Sequence, residues 1–227
     1  TVARVVVVPY AAAKPDIVLI HDAAAGVTAA IDAPEDGPIR KALAEKSWKL
    51  THILVTHHHG DHTAGILPLK EATGCTVIGP KAEAAKIKGL DKTVGEGDAF
   101  LLGGSEVKVI DTPGHTAGHI TFWIPSAKAA FVGDTLFAIG CGRVIEGTME
   151  QMWGSLAKLA KLPGDTAIYC GHEYTLTNAR FALTVEPENA ALVKRAAEIE
   201  TLIAAGKVTL PTRMDIEMET NPFLRPQ

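Results

Sequence analysis

Thr51-His52-Ile53-Leu54-Val55-Thr56-His57-His58-His59-Gly60-Asp61-His62 is the stretch that decides how the chain is read. Residues 51–56 form a compact apolar run of the kind that makes a buried strand. The run ends abruptly in four histidines and an aspartate. In extended backbone alternate side chains share a face, so His57 and His59 point one way and His58 the other. Two imidazoles on one face can hold one ion. Asp61 and His62 are adjacent and diverge, so they can serve a second ion close by. Imidazole and carboxylate suit zinc, iron or manganese better than calcium or magnesium. A polar surface loop explains single histidines, and a purification tag explains terminal ones. An internal cluster directly behind an apolar strand fits neither.

Three later segments repeat the arrangement. Asp111-Thr112-Pro113-Gly114-His115, Phe131-Val132-Gly133-Asp134-Thr135 and Tyr169-Cys170-Gly171-His172 each follow an apolar run and place His or Asp behind Gly. Each alone reads as an ordinary turn. Together they offer His115, Asp134 and His172 as further donors for a two-ion site. Of the other histidines, His58 is expected to face away from the ligands and His52 to be structural. His119, four residues after His115, is a candidate to support a ligand.

Short strand-like and helix-like runs alternate over the first two-thirds of the chain. Strands are expected at 2–8, 17–20, 27–31, 51–56, 76–78, 100–102, 106–110, 120–124, 129–132 and 167–170, with helices at 35–46, 65–72 and 149–162. From Tyr174 onward the pattern is helical. Pro187 opens a helix over 188–205, and Pro211 and Pro222 mark an irregular tail. This divides the chain into an α/β domain, 1–173, and a small helical one, 174–227. Trp48, Trp123 and Trp153 are expected in the core or at domain contacts. Cys141 and Cys170 are expected to be packing residues.

The chain has 227 residues, 47% hydrophobic and 21% charged, as expected of a globular protein. Its formal charge of −4 argues against bulk attraction to nucleic acid or an anionic membrane. No run of 18 apolar residues is present, so no spanning helix is expected. Three widely spaced cysteines do not make a disulfide framework and fit a reducing, cytoplasmic compartment. With no heptad or long apolar edge evident, a monomer is expected.

The ordered set His57-x-His59-x-Asp61-His62, His115, Asp134 and His172 resembles the metallo-β-lactamase superfamily in its dinuclear hydrolase form. More narrowly the chain resembles glyoxalase II, the hydroxyacylglutathione hydrolases. The motifs behind the narrower resemblance are Gly133-Asp134-Thr135-Leu136-Phe137 running into Gly140-Cys141-Gly142-Arg143 and Glu146-Gly147-Thr148; Gly171-His172-Glu173-Tyr174-Thr175; and Asn221-Pro222-Phe223-Leu224-Arg225. The resemblance implies a four-layered αβ/βα sandwich with a small C-terminal helical, substrate-binding domain. It implies that His57, His59 and His115 bind one divalent metal, that Asp61, His62 and His172 bind a second, and that Asp134 bridges them. Zinc is the first expectation, iron or manganese the next. Arg143, Tyr174 and Arg225 match positions that contact glutathione. Ile145 stands where relatives often carry an aromatic, and Lys14-Pro15-Asp16 replaces a common Asp-Asn-aromatic segment.

The implied reaction is hydrolysis of S-(2-hydroxyacyl)glutathione, S-lactoylglutathione in particular, to glutathione and a 2-hydroxy acid such as lactate. Two cations about 3.5–4 Å apart share a water and lower its pKa, so a metal-bridging hydroxide serves as nucleophile. A thiol of pKa about 8.5 leaves as thiolate without a strong general acid, which suits a site built from metal ligands. The alternatives are a hydrolase of another thioester and a mononuclear iron persulfide dioxygenase, which shares the fold. A tRNA-maturing nuclease also shares it, but the net charge and the lack of a basic appendage argue against that.

Overall fold

A computed structural model of the chain describes residues 4–8 and 17–225. In chain order the elements are β1 (Arg4–Val8), β2 (Ile17–Asp22), β3 (Val27–Ile31), α1 (Asp36–Lys46), β4 (His52–Leu54), α2 (Gly60–Thr63), α3 (Ile66–Thr73), β5 (Thr76–Pro80), β6 (Lys92–Val94), β7 (Ala99–Leu102) and β8 (Ser105–Asp111). They continue with β9 (Ile120–Ile124), β10 (Ala129–Gly133), β11 (Leu136–Phe137), β12 (Gly140–Cys141), α4 (Met149–Leu159), β13 (Ala167–Cys170), α5 (Thr175–Val185), α6 (Ala190–Ala204), β14 (Thr212–Arg213) and α7 (Met214–Thr220).

Two six-stranded sheets follow from this order. One runs β1-β2-β3-β4-β5-β6, the other β14-β13-β10-β9-β8-β7. Period-two alternation explains how they stack. In β2, Val18 and Ile20 face Val107, Val109, Phe122 and Phe131 of the second sheet, whereas Ile17 and Leu19 pack with Ile39, Leu43, Ile66 and Leu69 of α1 and α3. On the far side, Ala130, Val132 and Ile168 meet Met152, Leu156 and Leu159 of α4. The result is the four-layered αβ/βα sandwich that the motifs implied. α5 and α6 add a separate small core of Ala179, Ala182, Leu192, Ala196 and Ile199, into which Ile139 inserts. Among the described residues no helix is long and apolar enough to cross a membrane.

Several boundaries differ from expectation. The strand at 51–56 stops at Leu54, because Thr56 gives its N–H to the Asp32 carboxylate rather than to a ladder. The helix from Met149 opens with a Thr148–Gln151 capping box and ends at Leu159. The tail is not irregular. Its two-residue β14 pairs with β13, and α7 follows, both elements too short to show a period. Trp153 is 46% exposed and is not a core residue. Trp48 stacks on His21 at 4.1 Å against the outer layer of the first sheet. Lys14-Pro15-Asp16 lies outside the described residues.

Candidate metal centre and active-site cleft

The sheets deliver the donors. β9 is antiparallel to both β8 and β10, and β13 is parallel to β10, so β8, β10 and β13 end at one edge of the second sheet. His115, Asp134 and His172 follow those three ends. The His57–His62 segment follows β4 of the first sheet. The bond from Ile120 N–H to the Thr56 carbonyl, 3.0 Å, ties the sheets together there.

The seven side chains meet. His57, His59 and His115 offer donor atoms that all lie within 4.8 Å of one another, and so do Asp61, His62 and His172. Asp134 sits between the two sets. One of its oxygens is 3.5 Å from His115 Nε2 and 3.4 Å from His172 Nε2, and the other is 3.4 Å from His62 Nε2. His172 Nε2 is also 3.4 Å from Asp61 Oδ2. His57, His62, His115, Asp134 and His172 are buried, while Asp61 is exposed at the rim.

Proton bookkeeping tests whether this cluster suits cations. His62 Nδ1 lies 2.8 Å from the Asp32 carboxylate and His115 Nδ1 2.8 Å from the Arg143 carbonyl. Both partners only accept, so both Nδ1 atoms carry the proton. The Thr56 hydroxyl donates to Asp32, so it accepts from His57 Nδ1 at 3.0 Å. In its neutral form each of these rings therefore turns the Nε2 lone pair inward. His62 Nε2 faces His172 Nε2 at 3.3 Å, and His115 Nε2 faces His59 Nδ1 at 3.0 Å. His57 Nε2 and Asp134 Oδ1 are buried with no hydrogen-bond partner. Lone pairs and carboxylates crowded this way repel unless cations lie among them, and the donor set is that of zinc, iron or manganese.

The local electrostatics agree. Burial alone would push the His62 imidazole down, but Asp32, Asp134 and Asp61 outweigh it and hold it up at about 9. Without an ion a proton therefore sits on Nε2, and the same field favours a cation in its place. Burial would raise Asp134, yet His172, His62 and His115 hold it down at about 2. Burial, reinforced by neighbouring imidazoles, pushes His57 well below its ordinary value.

Two further residues support the donors: Asp32, directly behind β3, which no motif singled out, and His119, expected to support a ligand and found against Asp134. Asp32 has φ +56° and accepts from Thr56 N–H, the Thr56 hydroxyl and His62 Nδ1. His119 is fully buried, and burial pushes it down to about 3, so it is neutral. Its Nε2 accepts the Asp134 N–H at 3.1 Å, and its Nδ1 meets the hydroxyls of Thr112 and Thr135. His58 turns away from the cluster and lies between Glu83 and Glu146. An Asp32→Asn change leaves one acceptor oxygen for three donors. It is expected to weaken metal binding by about 10–100-fold, read by chelator competition, with unchanged secondary structure.

The cluster floors a cleft of about 630 Å³ walled by Phe137, Cys141, Arg143, Ile145, Tyr174, Thr177 and Asn178. The Tyr174 ring stacks on His172 with centroids 5.0 Å apart, meets Phe137 edge to face at 5.2 Å, and is partly exposed. Burial pushes the Cys141 thiol up to about 11 and pushes the Cys170 thiol up as well, so neither is a ready nucleophile. Arg225 is not among the residues lining the cleft. Its Nε pairs with Glu186 at 3.2 Å, beside the Met218 carbonyl.

Residues 18–172 match the family model of the metallo-beta-lactamase superfamily, and residues 173–227 match that of the hydroxyacylglutathione hydrolase C-terminus. A hydroxyacylglutathione hydrolase of Rhizobium meliloti (strain 1021) is 60% identical over 208 residues, which cover 92% of this chain and 81% of the relative. The chain belongs to the hydroxyacylglutathione hydrolase family of the metallo-beta-lactamase superfamily. Among solved structures, ETHE1 from Myxococcus xanthus is similar to this family member with a TM-score of 0.73 and 27% identity, covering 98% of this chain and 84% of the other. The BLEG-1 B3 metallo-beta-lactamase shares the fold at a TM-score of 0.74 and 17% identity, covering 98% and 100%. For a hydroxyacylglutathione hydrolase family member, two donor triads with Asp134 between them support a dinuclear metal site.

Proposed function

We propose that this chain hydrolyses S-(2-hydroxyacyl)glutathione, with S-lactoylglutathione as its reference substrate, to glutathione and the 2-hydroxy acid. The observation that carries the proposal is the convergence of seven His and Asp donors at the floor of a cleft whose wall includes Arg143 and Tyr174. The 60% identity to a hydroxyacylglutathione hydrolase supports the substrate class. In this reading His57, His59 and His115 hold one zinc ion, Asp61, His62 and His172 hold the other, and Asp134 serves both. When bound, the ions supply an acidified water near neutral pH and Lewis acidity towards the thioester carbonyl.

The chain's own groups do the rest. Asp32 and the Arg143 carbonyl fix the tautomers of His62 and His115, so their Nε2 atoms stay available as donors. His119 holds the Asp134 main chain in place. The Arg143 guanidinium pairs with a glutathione carboxylate, and the exposed part of Tyr174 offers a surface and a hydroxyl. Burial raises the Tyr174 hydroxyl above its ordinary value, so it donates a hydrogen bond and is not a base. The departing thiolate needs no general acid. Arg225 contributes less to thiol recognition than Arg143, because Glu186 already neutralises it. The three free cysteines support a cytoplasmic location.

A mononuclear iron dioxygenase is the weaker reading, because it leaves the Asp61, His62 and His172 set without a purpose. The test is turnover of S-lactoylglutathione by protein loaded with two zinc ions, followed as free thiol. The parent is expected to release thiol, and His59→Ala to abolish the release. Absence of turnover with both ions bound would sink the proposal. A single iron per chain with oxygen uptake would establish the alternative.

A further inference from the structure

The turn between Asp134 and Arg143 is held from outside the α/β sandwich. β11 and β12 pair Leu136 with Cys141 and Phe137 with Gly140, leaving Ala138 and Ile139 as the two turn residues. Ile139 has φ +56°, a conformation that a β-branched residue rarely adopts and that glycine or asparagine usually fills. Its fully buried side chain belongs to the core of α5 and α6. Besides the β11–β12 ladder and the Ala138 N–H, which meets the buried Cys170 thiol, the main-chain groups held in this turn are held by side chains from beyond residue 173. Asn178 Nδ2 donates to the Ala138 carbonyl at 3.0 Å. Glu217 Oε2 accepts the Ile139 N–H at 2.9 Å. Asn221 Nδ2 donates to the Phe137 carbonyl at 3.2 Å, to the Gly140 carbonyl at 3.0 Å and to Glu217 Oε2 at 2.9 Å.

Glu217 is entirely buried. Its second oxygen accepts from Arg195 Nη2 at 2.5 Å and from the Thr212 hydroxyl at 2.6 Å. Four donors thus converge on one carboxylate, which a neutral amide with a single acceptor oxygen cannot satisfy. Glu217 and Asn221 are four residues apart at the end of α7, so they share a face. The turn they grip leads straight to the site. Gly142 N–H donates to the Thr135 carbonyl, and the Arg143 carbonyl accepts from His115 Nδ1 at 2.8 Å.

We infer that Glu217 and Asn221 are positioning residues: they clamp the 137–140 turn so that the Arg143 carbonyl orients His115 and the Arg143 side chain stays on the cleft wall. The C-terminal helical segment then completes the metal site as well as walling the cleft. The consequence for substrate rests on the hydrolase reading above; the consequence for His115 does not.

The test uses Glu217→Gln and Asn221→Asp, which keep side-chain shape and change the pattern of donors and acceptors together with one unit of charge. In full-length zinc-loaded protein, both are expected to speed amide exchange over 137–143 and to speed zinc release to a chelator, each by about tenfold. KM for S-lactoylglutathione is expected to rise by a similar factor, more than kcat falls. If a variant does not fold, Thr212→Val, which removes one donor and keeps the carboxylate, is expected to move all three readouts less far in the same direction. A lowered melting temperature with parent-like exchange, zinc release and KM would reduce the clamp to ordinary stability and overturn the inference. Exchange and zinc release need no substrate, so they judge the clamp even if the parent fails to turn over the thioester.

Discussion

Asp134→Asn is expected to lower thioester turnover at least about a thousandfold, on the order of 4 kcal/mol of transition-state stabilisation, and to cut bound metal from two ions to one or fewer. The carboxylate lies within 3.5 Å of Nε2 atoms on His62, His115 and His172, so it borders both donor sets. Asparagine removes a negative charge from a buried site, where no solvent replaces it. It also leaves one acceptor oxygen where the carboxylate has two, and turns an N–H₂ group towards the ions, which cannot accept it. The main chain should hold, because His119 accepts the Asp134 N–H whatever the side chain is. Elemental analysis alongside the thiol-release assay reads both effects. Two tightly bound ions and a parent-like rate in this variant would show that Asp134 does not serve both sets.

Much of this was legible in the chain itself, for a physical reason. A donor placed directly behind an apolar strand inherits the rigidity of the sheet, so residues after β4, β8, β10 and β13 can be named before their geometry is known. The sandwich was equally legible, because alternation in β2 already assigns one face to the opposing sheet and one to the helices. Supporting residues carry the mark less clearly: His119 is legible from its spacing to His115, whereas Asp32 stands behind β3 without a neighbouring glycine or histidine. Asp32 is one aspartate at the end of β3 among many acidic residues, and only its three donors reveal its part. Glu217 sits in a seven-residue helix between Pro211 and Pro222, where the pattern reads as an irregular tail. Arg143 and Arg225 look alike in sequence. What separates them is Glu186, 39 residues from Arg225 along the chain yet paired with it in the fold.

The recurring Gly before a His or Asp is the part of the pattern whose reason only the structure supplies, and Gly171 shows it most sharply. A methyl group there would overlap Asp134 Oδ1 and lie 2.8 Å from His62 Cε1. Its N–H donates to the Gly133 carbonyl at 2.8 Å, which fixes the separation of the β10 and β13 ends and leaves the backbone no room to retreat. Gly133 is equally confined: φ is +47°, and an added Cβ would sit 2.6 Å from His119 Nε2. Gly171 itself is not in the left-handed region, so alanine is conformationally acceptable and the cost of Gly171→Ala is purely steric. The methyl can be accommodated only by moving Asp134 and His62, which between them border both donor sets. Turnover is expected to fall by at least about a hundredfold, on the order of 3 kcal/mol, with metal affinity falling alongside it and circular dichroism unchanged. Gly154→Ala is the matched control: it lies inside α4 with nothing within 4 Å of the added methyl, and it should gain roughly 1 kcal/mol of stability at unchanged activity. A Gly171→Ala protein that binds two ions with parental affinity would mean that the strand ends yield more readily than their hydrogen bonds indicate.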